Sequence, residues 1–313
     1  MTDMMFIDSN NIGFASQMTT KLTSGAREVQ AIFGYLRSIR KIMGENPQMQ
    51  PLSLWDGRAQ WRYDLYPQYK GNRAKDEKMK LMREKYQEQR PDICRALHML
   101  GVKQLTHKHG EADDLAGLMT NKAVAAGYRV LLVSGDKDWV QLVDDGVVWT
   151  DPIRNRSCTL GSFTDFTGCA TQEDFVQLKA LTGDNSDFIK GVGGIGDGTG
   201  IALIEQYGSV KNLLKLAEEG ELPKKLPATY KRLIDNKPFV YRGNAYPGMQ
   251  NSFDRNLKLM DLRSVEQPPA EELIIDRGEF NKQAFKEFCE ELSFNSILRD
   301  LDGWVAPFEA RQS

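Results

Sequence analysis

The sequence predicts an α/β fold in which a central, mostly parallel β-sheet is flanked by helices. Three short apolar runs end in an acid or are closely followed by one; these acids are Asp8, Asp56 and Asp136. Such runs are typical of buried parallel strands, and a helical period between the first two gives a β-α-β opening. Ligands bind at the carboxyl edge of parallel strands, so acids delivered to that edge predict a metal centre.

The remaining elements follow from periodicity and from turn residues. The predicted strands are residues 4–8, 51–56, 129–133 and 146–149. The predicted helices are residues 24–43, 91–100, 110–126, 171–181 and 279–292, together with one that follows the glycines at 191–200. We expect the tail after Trp304 to fray.

Residues 58–90 change character, with ten Lys or Arg against five acids and a net charge of +5. Met79, Met82 and Tyr86 offer only a thin apolar stripe, so this segment is expected to stand away from the core. A solvated charged helix is the ordinary explanation. The lead-in at residues 66–73 interleaves aromatic and basic residues, as nucleic-acid contacts do.

Composition bounds the class of protein. A length of 313 residues fits one large domain or a large and a small one, and the formal charge is −2. The four cysteines have no metal-binding or disulfide spacing, which predicts reduced thiols: Cys94, Cys158, Cys169 and Cys289. The start has no signal-peptide pattern, and no apolar run is long enough to span a bilayer. We therefore expect a cytoplasmic protein with no membrane association.

Further acids cluster before predicted helices. Glu111, Asp113 and Asp114 open one helix, and three acids in four residues exceed what capping requires. His107 and His109 flank them, but oxygen-rich sites rarely use imidazole, so we do not assign them as ligands. The remaining acids of this kind are Asp138, Asp184 and Asp187.

The ordered set of these motifs resembles the 5′-nuclease superfamily of flap endonucleases and 5′-3′ exonucleases, especially phage-type, RNase H-like primer-removing members. It consists of Asp8, Asp56, Glu-Ala-Asp-Asp at 111–114, Asp-x-Asp at 136–138, Gly-Asp-x-x-Asp at 183–187 and Gly-Val-x-Gly-Ile-Gly at 191–196. The resemblance covers nearly the whole chain. It implies a PIN-like nuclease domain over residues 1–182 with a helical arch at about 66–100. It also implies a helix-hairpin-helix (helix-three-turn-helix) and C-terminal helical region over 183–313.

The resemblance implies one pocket with nine carboxylates: Asp8, Asp56, Glu111, Asp113, Asp114, Asp136, Asp138, Asp184 and Asp187. Acids held together repel one another unless cations compensate, so two divalent ions are expected, Mg²⁺ with Mn²⁺ able to substitute. By likeness, the first ion takes mainly Asp8, Asp56, Glu111 and Asp113, and the second mainly Asp136, Asp138, Asp184 and Asp187. Without these nine acids the rest of the chain carries +7.

The implied reaction is phosphodiester hydrolysis by the two-metal route. Lys70 and Arg73 match the family's catalytic pair, the alternative being ordinary phosphate-positioning charges. Tyr69 is expected either to stack on a base near the cut or to pack in the core.

The glycine hairpin resembles the family's duplex-gripping element, in which backbone amides near Gly194 and Gly196 hold phosphates, often around K⁺. This chain departs from the family at residues 197–200, which lack the usual Lys or Arg, and at Phe188, where Asn is common. Duplex binding is therefore expected to depend on Lys179, Lys190 and a basic run at 224–242 with net charge +5.

The functional hypothesis is a structure-specific 5′-nuclease acting on 5′ flaps, nicks or RNA-primed ends in replication or repair. Its expected partners are DNA with branched or nicked 5′ ends, RNA–DNA hybrids and replication proteins, with a monomer as the working state and the host cytoplasm as its location if phage-encoded. Two alternatives remain open: a non-catalytic DNA-junction binding protein on the same fold, and an Asp-rich phosphatase like the haloacid dehalogenases.

Overall fold

The structure is a computed structural model that describes residues 3–73 and 76–311. The strands are β1 (Asp3–Asp8), β2 (Thr23–Ser24), β3 (Arg27–Glu28), β4 (Met49–Trp55), β5 (Lys103–His107), β6 (Val130–Val133), β7 (Val147–Asp151), β8 (Arg156–Cys158), β9 (Gly183–Asp184), β10 (Ile189–Lys190), β11 (Phe239–Tyr241), β12 (Asn244–Tyr246) and β13 (Leu273–Asp276).

The helices are α1 (Ser9–Gln17), α2 (Gln30–Glu45), α3 (Gln60–Leu65), α4 (Glu77–Met99), α5 (Ala112–Ala125), α6 (Phe163–Thr167), α7 (Gln172–Thr182), α8 (Asp197–Tyr207), α9 (Val210–Glu218), α10 (Ala228–Asp235), α11 (Met249–Met260), α12 (Lys282–Glu291), α13 (Asn295–Leu298) and α14 (Leu301–Glu309). Within the described residues, none of these helices combines the length and apolar character that a membrane span requires.

The chain divides into two compact units. Unit 1 takes in the chain up to residue 59, residues 76–160 and the chain from residue 262 on. Unit 2 takes in residues 60–73 and 161–261.

Unit 1 contains a seven-stranded sheet in the order β13-β5-β4-β1-β6-β7-β8. The five inner strands are parallel, and the edge strands β13 and β8 pair antiparallel with their neighbours. The predicted α/β class with a mostly parallel sheet is confirmed. Because β1 lies between β4 and β6, the chain leaves all three strands at the same edge of the sheet.

The core of unit 1 forms where α2 and the C-terminal helices pack with β1. Helix α2 begins at Gln30 and not at residue 24 as predicted, because residues 23–24 and 27–28 pair as the short ladder of β2 and β3. The predicted helix at 91–100 is the end of α4, which starts at Glu77 and contains Pro91.

The basic segment is only partly detached from the core. The first turns of α4 are largely exposed, but Tyr86 is 3% exposed and its ring covers Gly13, where an added Cβ would lie 2.6 Å from the ring. The Tyr86 hydroxyl also donates to Asn10 Oδ1 at 3.1 Å. The prediction that the segment stands away from the core is therefore wrong from Tyr86 onward, and it is also wrong at Tyr66 and Tyr69, which are buried.

Residues 301–309 of the C-terminal tail form α14, and the prediction that the tail after Trp304 frays is wrong. Helix α14 buries Val305 and Phe308 completely. The Arg311 guanidinium donates to the carbonyls of Met43 and Asn46 at 2.8 and 2.7 Å, so it caps the end of α2.

Unit 2 is mainly helical. The two-residue ladder of β9 and β10 pairs Asp184 with Ile189, and the glycines at 191–196 lead directly into α8. Gly183 has φ +80°, and a Cβ there would lie 2.3 Å from the Gly191 nitrogen, so this turn requires glycine. Strands β11 and β12 form a hairpin between α10 and α11.

The four cysteines are all free, as predicted, and Cys158, Cys169 and Cys289 are buried. Burial raises the pKa of the Cys289 thiol to about 12 and that of Cys94 to about 11. These thiols therefore remain protonated at neutral pH and behave as small apolar side chains.

Candidate functional site

Asp8 ends β1 and is 5% exposed. Its Oδ2 accepts a hydrogen bond from Ser134 Oγ at 2.6 Å, and its Oδ1 accepts one from the Asn11 amide at 3.1 Å. The second bond makes Asp8 the N-cap of α1, so the residue that closes the strand also starts the helix.

Asp56 follows β4 directly, and its Oδ1 accepts a hydrogen bond from the Ala112 amide at 2.8 Å. This amide is in the first turn of α5, where acids are favoured by unpaired N–H groups. The Asp56 carbonyl also accepts from Arg90 Nη2 at 3.0 Å. The loop after β4 and the start of α5 are thereby held side by side.

Helix α5 begins with the predicted acid cluster. Glu111 is its N-cap and is 7% exposed, and the Glu111 amide donates to Asp114 Oδ2 at 2.7 Å. This bond is one half of a capping box, so at least one oxygen of Asp114 has a structural role.

Asp113 is the acid of unit 1 whose pKa the other carboxylates raise. Its Oδ1 accepts a hydrogen bond from the Trp139 indole Nε1 at 2.7 Å. Burial and neighbouring negative charges raise its pKa well above the ordinary value of 3.8. The carboxylates that act on it are, in order of effect, those of Asp136, Asp8, Glu111 and Asp56. Unit 1 therefore brings five of the predicted acids together.

Asp136 and Asp138 lie in the turn after β6. The Asp136 amide donates to Ser134 Oγ at 2.9 Å, and Asp136 Oδ1 accepts from the Asp138 amide at 2.8 Å. Ser134 thus links Asp136 to Asp8, because the same hydroxyl donates to Asp8. Asp138 is in the short 3₁₀ helix Lys137–Leu142 that Asp136 caps.

In this conformation the carboxylates are gathered but face protein donors. Among residues 3–73 and 76–311, no three His, Cys, Asp or Glu side chains are arranged to hold a metal ion. The carboxylate oxygens described above accept from hydroxyl, indole and backbone N–H groups. Oxygen-only donor sets of this kind suit hard divalent cations such as Mg²⁺ and Mn²⁺.

Asp184 and Asp187 lie in unit 2, where they have cationic partners. Asp184 Oδ2 is 2.9 Å from Lys179 Nζ, and Asp184 also accepts from the amides of Ser186 and Asp187. Burial alone would raise the pKa of Asp184, but Lys179 and these hydrogen bonds outweigh it and lower the pKa to about 2. Lys179, expected to bind DNA, is paired with this acid.

Asp187 gathers the predicted catalytic residues of unit 2. Its carboxylate accepts from the Tyr69 hydroxyl at 3.0 Å and Arg73 Nη2 at 2.9 Å, and it lies 3.7 Å from Lys70 Nζ. Lys70 Nζ also lies 4.8 Å from the centre of the Tyr69 ring. Tyr69 itself is 3% exposed, so its ring packs inside unit 2 in this conformation.

The glycine loop has an open and a covered side. A Cβ at Gly196, the N-cap of α8, would meet no atom within 4 Å, whereas Gly194 has φ +93° and faces Tyr241. Lys190 Nζ donates to Asn244 Oδ1 at 2.8 Å, so this lysine is anchored to the β12 strand. Phe188, at the other departure from the family pattern, has φ +58°.

The histidines near the acids have acidic partners on β13 or its approach. His107 Nε2 lies 2.9 Å from Glu272, and His98 Nδ1 lies 2.8 Å from Asp276. The first contact holds the approach to β13 against the end of β5, and the second holds the end of β13 against α4.

Sequence reasoning missed the residues that hold the acids in place. The Ser134 hydroxyl donates to Asp8, and the Trp139 indole donates to Asp113. Asn11 Oδ1 accepts from the Gly135 amide at 3.0 Å and so holds the turn after β6. Ser134 could have been found, since it is the first polar residue after β6 and precedes Asp136 by two. Trp139 reaches Asp113 from 26 residues away, and no local pattern indicates that contact.

The fold and site together define an α/β protein with a buried acidic centre at the carboxyl edge of its parallel strands. Two family models match it: "5′-3′ exonuclease, N-terminal resolvase-like domain" over residues 3–171, and "5′-3′ exonuclease, C-terminal SAM fold" over residues 170–261. The chain belongs to the 5′-3′ exonuclease family, and the resemblance inferred from its motifs is confirmed.

A curated relative is the thermostable DNA polymerase I of Thermus filiformis, 28% identical over 306 residues, which cover 95% of this chain and 33% of the polymerase. The chain is thus homologous to a part of DNA polymerase I and spans about a third of the length of this polymerase and of its Thermus thermophilus counterpart.

Two solved structures show the same fold. The bacteriophage T5 5′-exonuclease with bound divalent metal ions (zinc) has a TM-score of 0.62 and 23% identity, over 93% of this chain and 98% of that one. Human GEN1 in complex with Holliday junction DNA has a TM-score of 0.58 and 14% identity, over 93% of this chain and 68% of that one.

Proposed function

We propose that this chain is a divalent-metal-dependent, structure-specific 5′-nuclease that hydrolyses phosphodiester bonds at 5′ flaps, nicks or RNA-primed ends during DNA replication and repair. The observation that carries the proposal is the convergence of four carboxylates on Asp113 at one edge of the sheet. Membership of the 5′-3′ exonuclease family supports it, as do relatives described with metal ions and with junction DNA.

Mg²⁺ is the proposed ion, with Mn²⁺ able to substitute. The residues of unit 1 that would hold it are Asp8, Asp56, Glu111, Asp113 and Asp136. They fit by chemistry, because an all-oxygen set whose members repel one another is stabilised by a hard cation. When bound, two such ions would offset charge on the phosphate and activate water. The roles of Asp114, Asp138, Asp184 and Asp187 as ligands stay predictions from the resemblance.

The residues of unit 2 supply positive charge. We assign Lys70 and Arg73 to stabilising charge on the scissile phosphate, with the Asp187 carboxylate holding both in place. Tyr69 supports this group through its bond to Asp187 and its ring beneath Lys70, so base stacking is not needed to explain it.

Duplex DNA is the proposed partner of the glycine loop. Backbone N–H groups near Gly194 and Gly196 would contact phosphates, with K⁺ as a further ion there, and the basic run at 224–242 would add charge. Lys190, whose Nζ donates to Asn244, would also contact the duplex. We assign the metal chemistry to residues 1–182, with an arch at about 66–100, and duplex binding to 183–313. We further propose that the protein works as a monomer in the cytoplasm and that it also acts on RNA–DNA hybrids.

The central test is Asp136→Asn in the full chain. With Mg²⁺ and end-labelled flap, nicked, blunt and RNA-primed duplexes, we expect wild-type protein to release 5′ products and the variant to bind these substrates without cutting them. Asp145→Asn, at an exposed acid eight residues from the turn, is the matched control and should cut normally. Cleavage by Asp136→Asn at the wild-type rate would remove the proposal.

The same assay separates the alternatives. A non-catalytic junction-binding protein would bind flaps and leave them intact even as wild type. An Asp-rich phosphatase would turn over p-nitrophenyl phosphate faster than any of the duplexes. We expect neither outcome.

A further inference from the structure

A cavity of about 900 Å³ lies in unit 1 along the outer face of α2, and the proposed nuclease function does not use it. Its floor is α2 itself, where Phe33, Arg37 and Lys41 follow one another at helical spacing. Its walls are the loop after α1 and the helices α13 and α14. We call this cavity the α2 groove.

The charge of the α2 groove is one-sided. Its lining holds four cationic side chains and no acid, in a chain whose net charge is −2. The cations are Lys21, Arg37, Arg40 and Lys41. A cavity lined by one sign of charge concentrates ligands of the opposite sign. The charge of the α2 groove therefore favours an anionic ligand.

Arg37 and Arg40 carry most of the uncompensated charge. Within the described residues, neither guanidinium has a carboxylate at ion-pair distance: Arg37 stacks on Phe33, and Arg40 donates to the carbonyls of Gly303 and Trp304, both at 3.0 Å. Carbonyl contacts leave the charge of Arg40 in place. By contrast, Lys21 lies 2.9 Å from Glu28, and Lys41 lies 3.8 Å from Glu45.

A buried acceptor adds a second, independent signal. Gln30 lines the groove and is 6% exposed, and its Oε1 has no hydrogen-bond partner among the described residues. A buried amide oxygen without a partner costs free energy, so the site favours a ligand that also donates. Peptide backbone N–H groups meet this requirement.

The aromatic rings argue against a nucleic-acid strand. Proteins that bind single strands offer open aromatic faces on which bases stack. Here Arg37 lies over Phe33 at 5.8 Å and Arg40 over Trp304 at 5.9 Å, and Trp304 is only 8% exposed. Carboxylates need cations and donors but no free ring face, so an acidic peptide fits better.

We infer that the α2 groove binds an acidic segment of a partner protein in extended form. From Gln30 to Lys41 the helix rises about 16 Å, which matches roughly five extended residues. The segment's carboxylates meet Arg37, Arg40 and Lys41. An apolar side chain of the segment packs against Leu22, which is 38% exposed on the groove wall.

The test uses a fluorescein-labelled peptide of aspartates around one leucine, with fluorescence anisotropy as the readout. Wild-type protein should bind it, with affinity falling as salt rises, and Arg37→Glu should weaken binding about tenfold or more. Lys122→Glu, at an exposed cation of α5 outside the groove, is the matched control and should bind as wild type does.

A second variant tests peptide binding without changing the charge of the α2 groove. Ser38→Trp fills the groove, and it should also lose the peptide while the far-ultraviolet circular dichroism and the thermal unfolding midpoint stay native. Both variants should cut flap DNA at the wild-type rate, so failure of the peptide to bind leaves the nuclease proposal untouched. No binding by wild type, equal binding by Arg37→Glu, or displacement of the peptide by a short oligothymidylate would overturn the inference.

Discussion

Asp113 of unit 1 and Asp184 of unit 2 are both acids in confined surroundings, yet their pKa values move in opposite directions. Around Asp113 the nearby charged groups are other carboxylates, and its pKa rises well above 3.8. Beside Asp184 lies the ammonium of Lys179 at 2.9 Å, and its pKa falls to about 2. Burial raises the pKa at both positions, so the nearest charges decide the direction.

The contrast indicates two kinds of acidic site. The acids of unit 1 accept hydrogen bonds from neutral donors such as Ser134 and Trp139, and their carboxylates raise the pKa of Asp113. The acids of unit 2 are compensated by Lys179, Lys70 and Arg73. A site that repels itself is stabilised by added cations, whereas a compensated one positions the cations it already has.

After Asp136→Asn, the largest effect should come from Lys70→Ala, which removes a cation that Asp187 positions. If Lys70 stabilises charge developing on the phosphate, the single-turnover cleavage rate should fall about 100-fold or more while duplex affinity changes little. Rapid-quench measurements on a flap substrate and a binding titration separate the two quantities.

The control for Lys70→Ala is Lys231→Ala, at an exposed lysine of the basic run. It should weaken duplex binding, make the salt dependence of the affinity shallower and leave the single-turnover rate unchanged. An effect of Lys70→Ala confined to affinity would make Lys70 an ordinary phosphate-positioning residue.

Asp184→Asn should destabilise the metal-free protein by roughly 2 kcal/mol at neutral pH. The folded pKa of about 2 lies below the ordinary value of 3.8, so the stabilisation is present above 3.8 and lost as pH falls through about 2. Urea unfolding in a chelator measures the change. Asp165→Asn, at an exposed acid of α6, should stay within about 0.5 kcal/mol of wild type.

Asp113→Asn should do the opposite and stabilise the metal-free protein by about 1–2 kcal/mol. A raised folded pKa gives stabilisation that is complete below 3.8 and lost as pH rises through the folded value, so at neutral pH the charged form is a cost. The Trp139 bond survives, because an asparagine oxygen also accepts. Adding Mg²⁺ should stabilise wild type more than the variant, and equal responses would contradict this.

The strand-end acids could be read from the sequence because each apolar run and its acid are adjacent in the chain. The boundaries of α7 are also local, and the sequence predicts them to within a residue. Parallel pairing then brought Asp8 and Asp56 to one edge as expected.

The partners of those acids could not be read in the same way. The indole of Trp139 and the hydroxyl of Ser134 act across the sheet, at sequence separations of 26 and 126 residues. Nor does the sequence indicate which acids form ion pairs. Lys179 lies five residues before Asp184, and α7 ends between them, so helical spacing does not predict their contact. Helix α14 was missed because its buried Val305 and Phe308 form too short an apolar pattern to register.

The smallest effect should come from Asp114→Asn. This substitution tests whether Asp114 belongs with the mutually repelling carboxylates around Asp113. Asp114 Oδ2 accepts the Glu111 amide at 2.7 Å, and an asparagine oxygen can accept the same bond. Because the carboxylates with the largest effect on the pKa of Asp113 are those of Asp136, Asp8, Glu111 and Asp56, cleavage should fall less than about tenfold, which corresponds to about 1.4 kcal/mol. Asp114→Ala removes the cap as well and should lower the free energy of unfolding by about 1 kcal/mol. A loss of cleavage in Asp114→Asn as deep as that in Asp136→Asn would instead place Asp114 among the residues that hold the ion.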